Sequence, residues 1–386
     1  MAASVNSRPD SPTPRGDVVI VGGGIVGMVT AYYLAKAGVP SVVIERDAIG
    51  SHASGFAYGG LSPVTGFGIP GPLAEVAQEG MRLHRELAES VVEETGIGID
   101  FRVRSSLALA FTEADTRRLQ AALPWQQRQP GYAARWLDAS EARRVESRIS
   151  DETIGAVAIE GTADVEPYRL VLALTRASER LGVTVRHGRL IGLRREGGRV
   201  TGVILERDEV ACSTVVLALG PWSGETSAWI DLPIEVRPLK GQILRLQAPG
   251  PPVACSVGWG HNYATTKSDG LLWAGTTEEE AGFDEESTPE ARDEIGAALV
   301  RMLPSMADAQ VVHQTACLRP LASDGLLVLG RVPGLEHVYM ATGAGRKGIL
   351  FGPAMGRAIA DLILTGSAKI ALQDFAPGRF VRRVAF

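Results

Sequence analysis

Cysteine is scarce in this chain: Cys212, Cys255 and Cys317 are the three in 386 residues. They lie far apart and without metal-ligand spacing. That argues against a disulfide framework or a zinc site and suits a reducing, cytoplasmic setting. Charge of one sign is also missing: the net is −5, and Lys and Arg are scattered, so no nucleic-acid partner is indicated. No run approaches the ~18 apolar residues of a membrane span, which gives no integral membrane segment and leaves peripheral association open. Residues 1–16 carry prolines, serines and two arginines but no apolar core, so they are expected to be a disordered tail rather than a secretory signal. Internal repeats, a Ser/His/Asp constellation and a metal cluster are absent too. What is left, 45% hydrophobic and 22% charged, is the composition of an ordinary globular protein with room for two or three domains.

Glycine, by contrast, is plentiful, and its spacing carries the strongest signal. Asp17–Arg46 reads as an apolar run (Val18–Val21), a glycine turn, a helix-like stretch to Ala37 and a second apolar run (Val42–Ile44) ending on Glu45. Gly22, Gly24 and Gly27 stand in G-x-G-x-x-G spacing. Gly22 would allow the tight turn, Gly24 the approach of a pyrophosphate, and Gly27 the packing of helix on strand. The helix start would face the phosphates with free N–H groups and partial positive charge. Glu45 stands where a carboxylate takes both hydroxyls of an adenosine ribose. A dinucleotide site is the expectation, with NAD and FAD both open.

Next comes "RDAIGSHASGFAYGGLSP", rich in small residues and forming no amphipathic element. It is either a plain loop or backbone wrapped around a ligand. Apolar spacing predicts a helix over Leu73–Thr95, and "LALAFTEADTRRLQAAL" a strand and a helix. Trp125–Ile149 reads as charged and irregular, on the outside of a second domain. A helix is expected after Pro167, ending at Gly182, and "TVVLALGPWSG" is a strand running into Gly220, a further point where backbone meets a cofactor or simply turns. Ile234–Leu246 alternates as a strand broken by Pro238 and Gly241. Tyr263–Thr277 reads as a hairpin, and Thr288–Met302 as a helix capped by Thr288. A second glycine turn and helix close the chain. This order suggests an interrupted α/β nucleotide domain around a β-rich substrate domain.

Six stretches, "VVIVGGGIVG", "TADVEPYRLV", "VVLALGPWSG", "RPLKGQ", "LRPLASDGLLVLG" and "ATGAGRKGILFGP", together resemble the D-amino-acid-oxidase-type FAD oxidoreductases, glycine oxidases and their thiamine-pathway relatives above all. The resemblance runs from about Asp17 to Gly366. It implies an α/β fold with a Rossmann-like FAD-binding domain (17–80, 150–233, 319–386) and a substrate domain with a large mixed β-sheet (81–149, 234–318). It implies FAD held non-covalently and oxidative deamination of a small amino or imino acid. Hydride goes to flavin N5, water hydrolyses the imine, and dioxygen takes the electrons to give hydrogen peroxide. A dehydrogenase passing electrons to a quinone or protein acceptor is the alternative, and a homo-oligomer is left open.

Residue by residue, Gly22, Gly24, Ile25, Val26 and Gly27 match the family's pyrophosphate turn, and Glu45 with Arg46 its ribose position. Ala53, Ser54, Gly60 and Leu61 correspond to the flavin-wrapping loop, and Leu190 to a backbone contact beside adenine. Gly343, Gly345, Arg346, Lys347, Gly348, Ile349 and Leu350 match the turn and helix start over the flavin ring. Arg319 matches the arginine that clamps the substrate carboxylate, as a planar charged fork suits; on its residues alone it could be structural. Tyr263 matches a substrate-contacting tyrosine or is a packing residue. Arg346 either attracts acidic substrates or pairs with a carboxylate. Three departures stand out: Ala344 replaces a frequent histidine, Thr266 and Lys267 replace a Pro-Arg pair, and Cys317 lies where sarcosine oxidases attach FAD covalently. The lysine those oxidases use with oxygen corresponds to Leu272. His52 and His261 read as loop residues, Trp222 and Trp259 as packing, and His313 and His337 carry no functional signal.

Overall fold

The computed structural model describes residues 17–381; the expected tail, 1–16, lies outside them. Val18–Val21 is buried along its whole length, and its side chains alternate. Val18 and Ile20 join one apolar cluster, Val19 and Val21 another. A strand apolar on both faces belongs inside a parallel sheet with a layer on each side. It pairs in parallel with Val42–Glu45 and with Thr214–Leu217. The sheet order is Val328–Arg331, Val338–Thr342, Thr214–Leu217, Val18–Val21, Val42–Glu45, Thr184–His187, with only the first pair antiparallel. Helices Ile25–Lys36, Pro167–Arg180 and Gly348–Thr365 share a core with one face, and a three-stranded sheet within Leu190–Ala211 packs on the other.

A second, mixed sheet of nine strands runs from Gln310–Ala322 through Val236–Gln247, Leu272–Gly275, Asn262–Thr266, Ser256–Trp259 and Arg102–Ala110 to Gly155–Asp164. Gly60–Leu61 and Ala133–Asp138 both pair with that last strand. Helix Pro289–Met302 buries Ile295, Leu299 and Met302 against it; Thr288 Oγ1 caps the helix by accepting from Ala291 N at 3.3 Å. A Rossmann-like α/β layer and a large mixed sheet are therefore both present, as expected. Helices Leu73–Thr95 and Pro167–Arg180 also form where the spacing predicts them.

Five expectations need correction. The small-residue loop after Glu45 contains a short helix, Ala53–Phe56, and the strand Gly60–Leu61. Val236–Gln247 is unbroken, because Pro238 stands opposite Pro320 and neither asks an N–H of the other. Trp125–Ile149 is ordered: Ala133–Asp138 pairs into the sheet, and Asp138 with Glu141 forms a capping box for Ala139–Val145. Strand Gly155–Asp164, in a segment expected to be nucleotide-binding, belongs to the large sheet, where it pairs antiparallel with Arg102–Ala110. Finally, among the described residues one helix, Gly345–Thr365, is long and apolar enough to cross a membrane. Most of its apolar residues are packed inside the fold against Ile25–Lys36 and Leu73–Thr95, while Leu364 is exposed.

Candidate functional site

The glycine turn is closed by main chain. Gly22 has φ +111°, and a Cβ there would sit 2.2 Å from Ala218 O; one on Gly27 would sit 1.9 Å from Gly22 O. Only hydrogen fits at either place. Glu45 Oε2 accepts from Gly23 N at 2.6 Å and Oε1 from Asp47 N at 2.9 Å. The carboxylate thus braces the turn with one lone pair per oxygen and keeps others for a ligand. Around it lies a cavity of about 110 Å³ walled by Gly22, Glu45, Arg46, His52, Leu190 and Trp222. The Arg46 guanidinium lies 3.6 Å from the centre of the Trp222 ring, and Phe283 stacks on the same ring with centres 5.7 Å apart. His52 sits between two carboxylates, with Nε2 2.8 Å from Asp47 and Nδ1 3.1 Å from Glu285.

A larger cavity of about 870 Å³ shares Gly24, Ala53, Ser54, Ala218, Gly220 and Pro221 with the first. Those residues form a waist without acidic side chains, at the N-terminus of Ile25–Lys36. Gly24 gives that helix no side-chain cap, and its first turn has no acid. Ser54 Oγ accepts from Ile25 N at 3.0 Å. Gly220 has φ +56°, and a Cβ there would meet nothing within 4 Å, so the waist is a cradle that any side chain would fill. Two chambers joined by a glycine-backed, anion-friendly waist at the carboxyl ends of parallel strands suit a dinucleotide whose second end is bulky, as FAD's is. Ile25, Val26, Gly60 and Leu61 line the larger chamber, as do Gly345, Arg346, Lys347 and Gly348 with Ile349 and Leu350. Gly27 and Gly343 line neither. Gly27 sits under the turn, and Gly343, at φ +77°, is packed beneath Leu326 and Val328.

At the far side of the larger chamber the mixed sheet supplies side chains. Cys317 and Arg319, two residues apart on one strand, both line it. Gly241 makes room for the Arg319 guanidinium, which a Cβ there would strike at 2.0 Å. Arg319 Nη2 donates to Thr276 Oγ1 at 2.6 Å, and Nη1 to Thr277 O at 3.1 Å and Lys240 O at 3.5 Å. Its Nε–H and one Nη2–H have no protein acceptor among the described residues. Tyr263 stacks on Tyr58, ring centres 4.1 Å apart. Burial pushes its hydroxyl well above the ordinary range, against the pull of Arg319. Tyr58 shares a hydrogen bond with Ser256 Oγ at 3.0 Å.

The remaining cations of the chamber are engaged. Arg346 holds Glu278 with both its Nε and its Nη2, the latter at 2.6 Å. That pairing, the largest cause, and the charge of Arg319 keep the Glu278 carboxyl below its usual range. Arg104 donates to Thr265 Oγ1 and Thr266 O and pairs with Asp164 at 2.5 Å. Lys347 donates to Ser62 O at 2.6 Å, and desolvation lowers its pKa to about 8. Lys267 is buried and donates to Val165 O at 2.8 Å and to Asp164 at 3.3 Å. It ties the loop to the sheet rather than facing the chamber.

Tyr58, Thr276, Glu278 and His84 escaped the sequence reading. Tyr58 lay inside the small-residue loop, and its aromatic ring was the one available hint. Glu278 belongs to a run of three glutamates that reads as a solvated face. Buried His84 donates from Nε2 to Ile349 O at 2.8 Å and has no partner for Nδ1; desolvation, only partly offset by that hydrogen bond, drives its pKa down to about 4. It joins helix Leu73–Thr95 to the start of Gly348–Thr365. Among the described residues no group of three or more His, Cys, Asp or Glu is placed to hold a metal.

Comparison with known proteins adds the family. The model of a family described as FAD dependent oxidoreductase, DAO, matches residues 17–362. A glycine oxidase of Pseudomonas aeruginosa is 30% identical, over 93% of this chain and 98% of its own. The crystal structure of a glycine oxidase from Geobacillus kaustophilus superposes with a TM-score of 0.91 at 29% identity, covering 96% of this chain and 100% of that one. An iminodiacetate oxidase from Chelativorans sp. BNC1 gives 0.87 at 25% identity, with 93% and 98% covered.

Proposed function

The chain belongs to the DAO family of FAD-dependent oxidoreductases, and from that premise we propose that it oxidises the carbon–nitrogen bond of a small amino or imino acid. Glycine, sarcosine and small D-amino acids are the substrates, dioxygen the acceptor, and hydrogen peroxide a product. The observation that carries this reading is Arg319 at the wall of the larger chamber beside Tyr263, with its Nε–H and one Nη2–H given no protein acceptor among the described residues. Such a fork takes a carboxylate in two parallel hydrogen bonds. FAD, when bound, supplies the two-electron oxidation.

The residues of the chain bind, orient and exclude water. Arg319 fixes the carboxylate, itself held by Thr276 and Thr277 so that its plane does not rotate. Tyr263, stacked on Tyr58, walls the same space and stays un-ionised, so its hydroxyl can donate to the carboxylate. Gly22, Gly24 and the first helix turn would hold the pyrophosphate, with Gly27 packed beneath the turn, and Glu45 would hold the ribose. The turn before Gly348–Thr365, which lines the larger chamber, would offer backbone to the bulky end of the cofactor. Cys317 is buried and its thiol is pushed up by desolvation, which disfavours the thiolate needed for a covalent link. FAD is thus held non-covalently, and acid precipitation should leave its colour in the supernatant.

Glycine, sarcosine, D-alanine and D-proline should each be offered to the purified flavoprotein in air, with peroxide as the readout. Peroxide formed with at least one supports the oxidase. Reduction of an artificial acceptor under argon, without peroxide in air, would make it a dehydrogenase.

A further inference from the structure

The cations around the larger chamber are unequal in what they have left to offer. Arg104 is spent on Asp164 and the Thr265–Thr266 strand, and Arg118 pairs with Asp115 at 2.9 Å. Lys347 lies against Ser62 in the turn assigned above to the cofactor. Arg319 keeps two open donors. Arg346, about half exposed at the wall, would be a second carboxylate site, but Glu278 occupies it from the chain itself with a two-point pair. Leu107, Leu109, Leu119, Ile159 and Ile243 make much of the remaining wall apolar.

We propose that Glu278 sets specificity: by filling Arg346 it lets the chamber accept one carboxylate, at Arg319, and turns away a second. The proposal rests on the carboxylate-binding role given to Arg319 above. A substrate with one carboxylate and a neutral remainder meets a complementary site. A dicarboxylate places its second charge beside the Glu278 carboxylate, and either endures the repulsion or must expel Glu278 from Arg346. Like charges set against each other in a partly desolvated site cost enough to change selectivity by an order of magnitude or more.

The test uses two unreactive ethers of the same backbone, methoxyacetate with one carboxylate and diglycolate with two, titrated calorimetrically into the holoenzyme. The wild type should favour methoxyacetate by about tenfold or more, and Glu278→Gln should shift the ratio toward diglycolate by about tenfold, because Arg346 is freed. Adding Arg346→Ala to Glu278→Gln should remove most of that shift. Arg346→Ala alone, which leaves Glu278 unpaired, should turn diglycolate away further and serves if Glu278→Gln does not fold. A ratio unmoved by Glu278→Gln, or by Arg346→Ala where that variant stands in for it, overturns the filter. Monocarboxylate binding that is absent in the wild type, or that survives Arg319→Ala, overturns the Arg319 reading and the filter with it. The two failures are separate because the first leaves Arg319-dependent binding of methoxyacetate intact.

Discussion

The two ends of the joined cavity are built on different principles. At the glycine turn, main chain does the work: Gly22 against Ala218, Gly27 against Gly22, and Glu45 bonded to the N–H groups of Gly23 and Asp47. Nearly all of it comes from one contiguous stretch. At the other end side chains do the work, and they arrive from distant segments: Tyr58, Tyr263, Glu278, Arg319 and Arg346. Backbone geometry tolerates no substitution but reads nothing beyond a phosphate. Side-chain pairing reads the substrate, and it can be retuned by changing one partner.

That contrast can be broken or sharpened by mutation. Gly27→Val should have the largest effect, since its Cβ would meet Gly22 O at 1.9 Å: the protein should be purified without FAD or not fold at all. A yellow, folded Gly27→Val would break the comparison at once. Arg319→Ala should keep the flavin spectrum while lowering kcat/KM by about 1000-fold, the scale for losing a buried carboxylate–guanidinium contact. Next comes His84, buried beneath Ile349 with its pKa lowered from 6.5 to about 4. The unfolded chain binds the proton more readily in that window, so stability should be full above about pH 6.5 and fall by roughly 3 kcal/mol as the pH drops through 4. Denaturant midpoints between those pH values check this, and His84→Leu should remove that share of the slope. The smallest effect is expected of Tyr263→Phe, a rise in KM of about fivefold, worth ~1 kcal/mol for one hydrogen bond. No change there would make Tyr263 a packing residue.

How far each end could be read in the sequence follows from the same contrast. The first end was legible because a turn that excludes Cβ atoms must be written in glycine, at fixed spacing, between two apolar runs. Arg319 was legible only through a resembling motif, since "LRP" by itself marks nothing. Glu278 was not legible at all: its partner, Arg346, is far away in the chain, and a glutamate run has the same appearance whether solvated or paired. Trp125–Ile149 shows the limit for the fold. Its strand, Ala133–Asp138, breaks the in–out alternation at Leu137 and carries Arg135 and Asp138 on opposite faces, and only pairing with Gly155–Asp164 makes it a strand. Val236–Gln247 shows another, because a proline breaks a strand only when its neighbour requires the missing N–H.

The central claim is that the glycine-turn end holds FAD while Arg319, at the other end, captures the carboxylate of the amine to be oxidised. Anaerobic titration of the flavin absorbance tests both parts at once, with glycine, sarcosine, D-alanine and D-proline added to wild type and to Arg319→Ala. The expected result is a yellow wild type bleached by at least one of them, and an equally yellow variant that bleaches only at concentrations higher by about two orders of magnitude or more. A wild type that none of them bleaches, or a variant that bleaches at the same concentration as the wild type, would contradict the account.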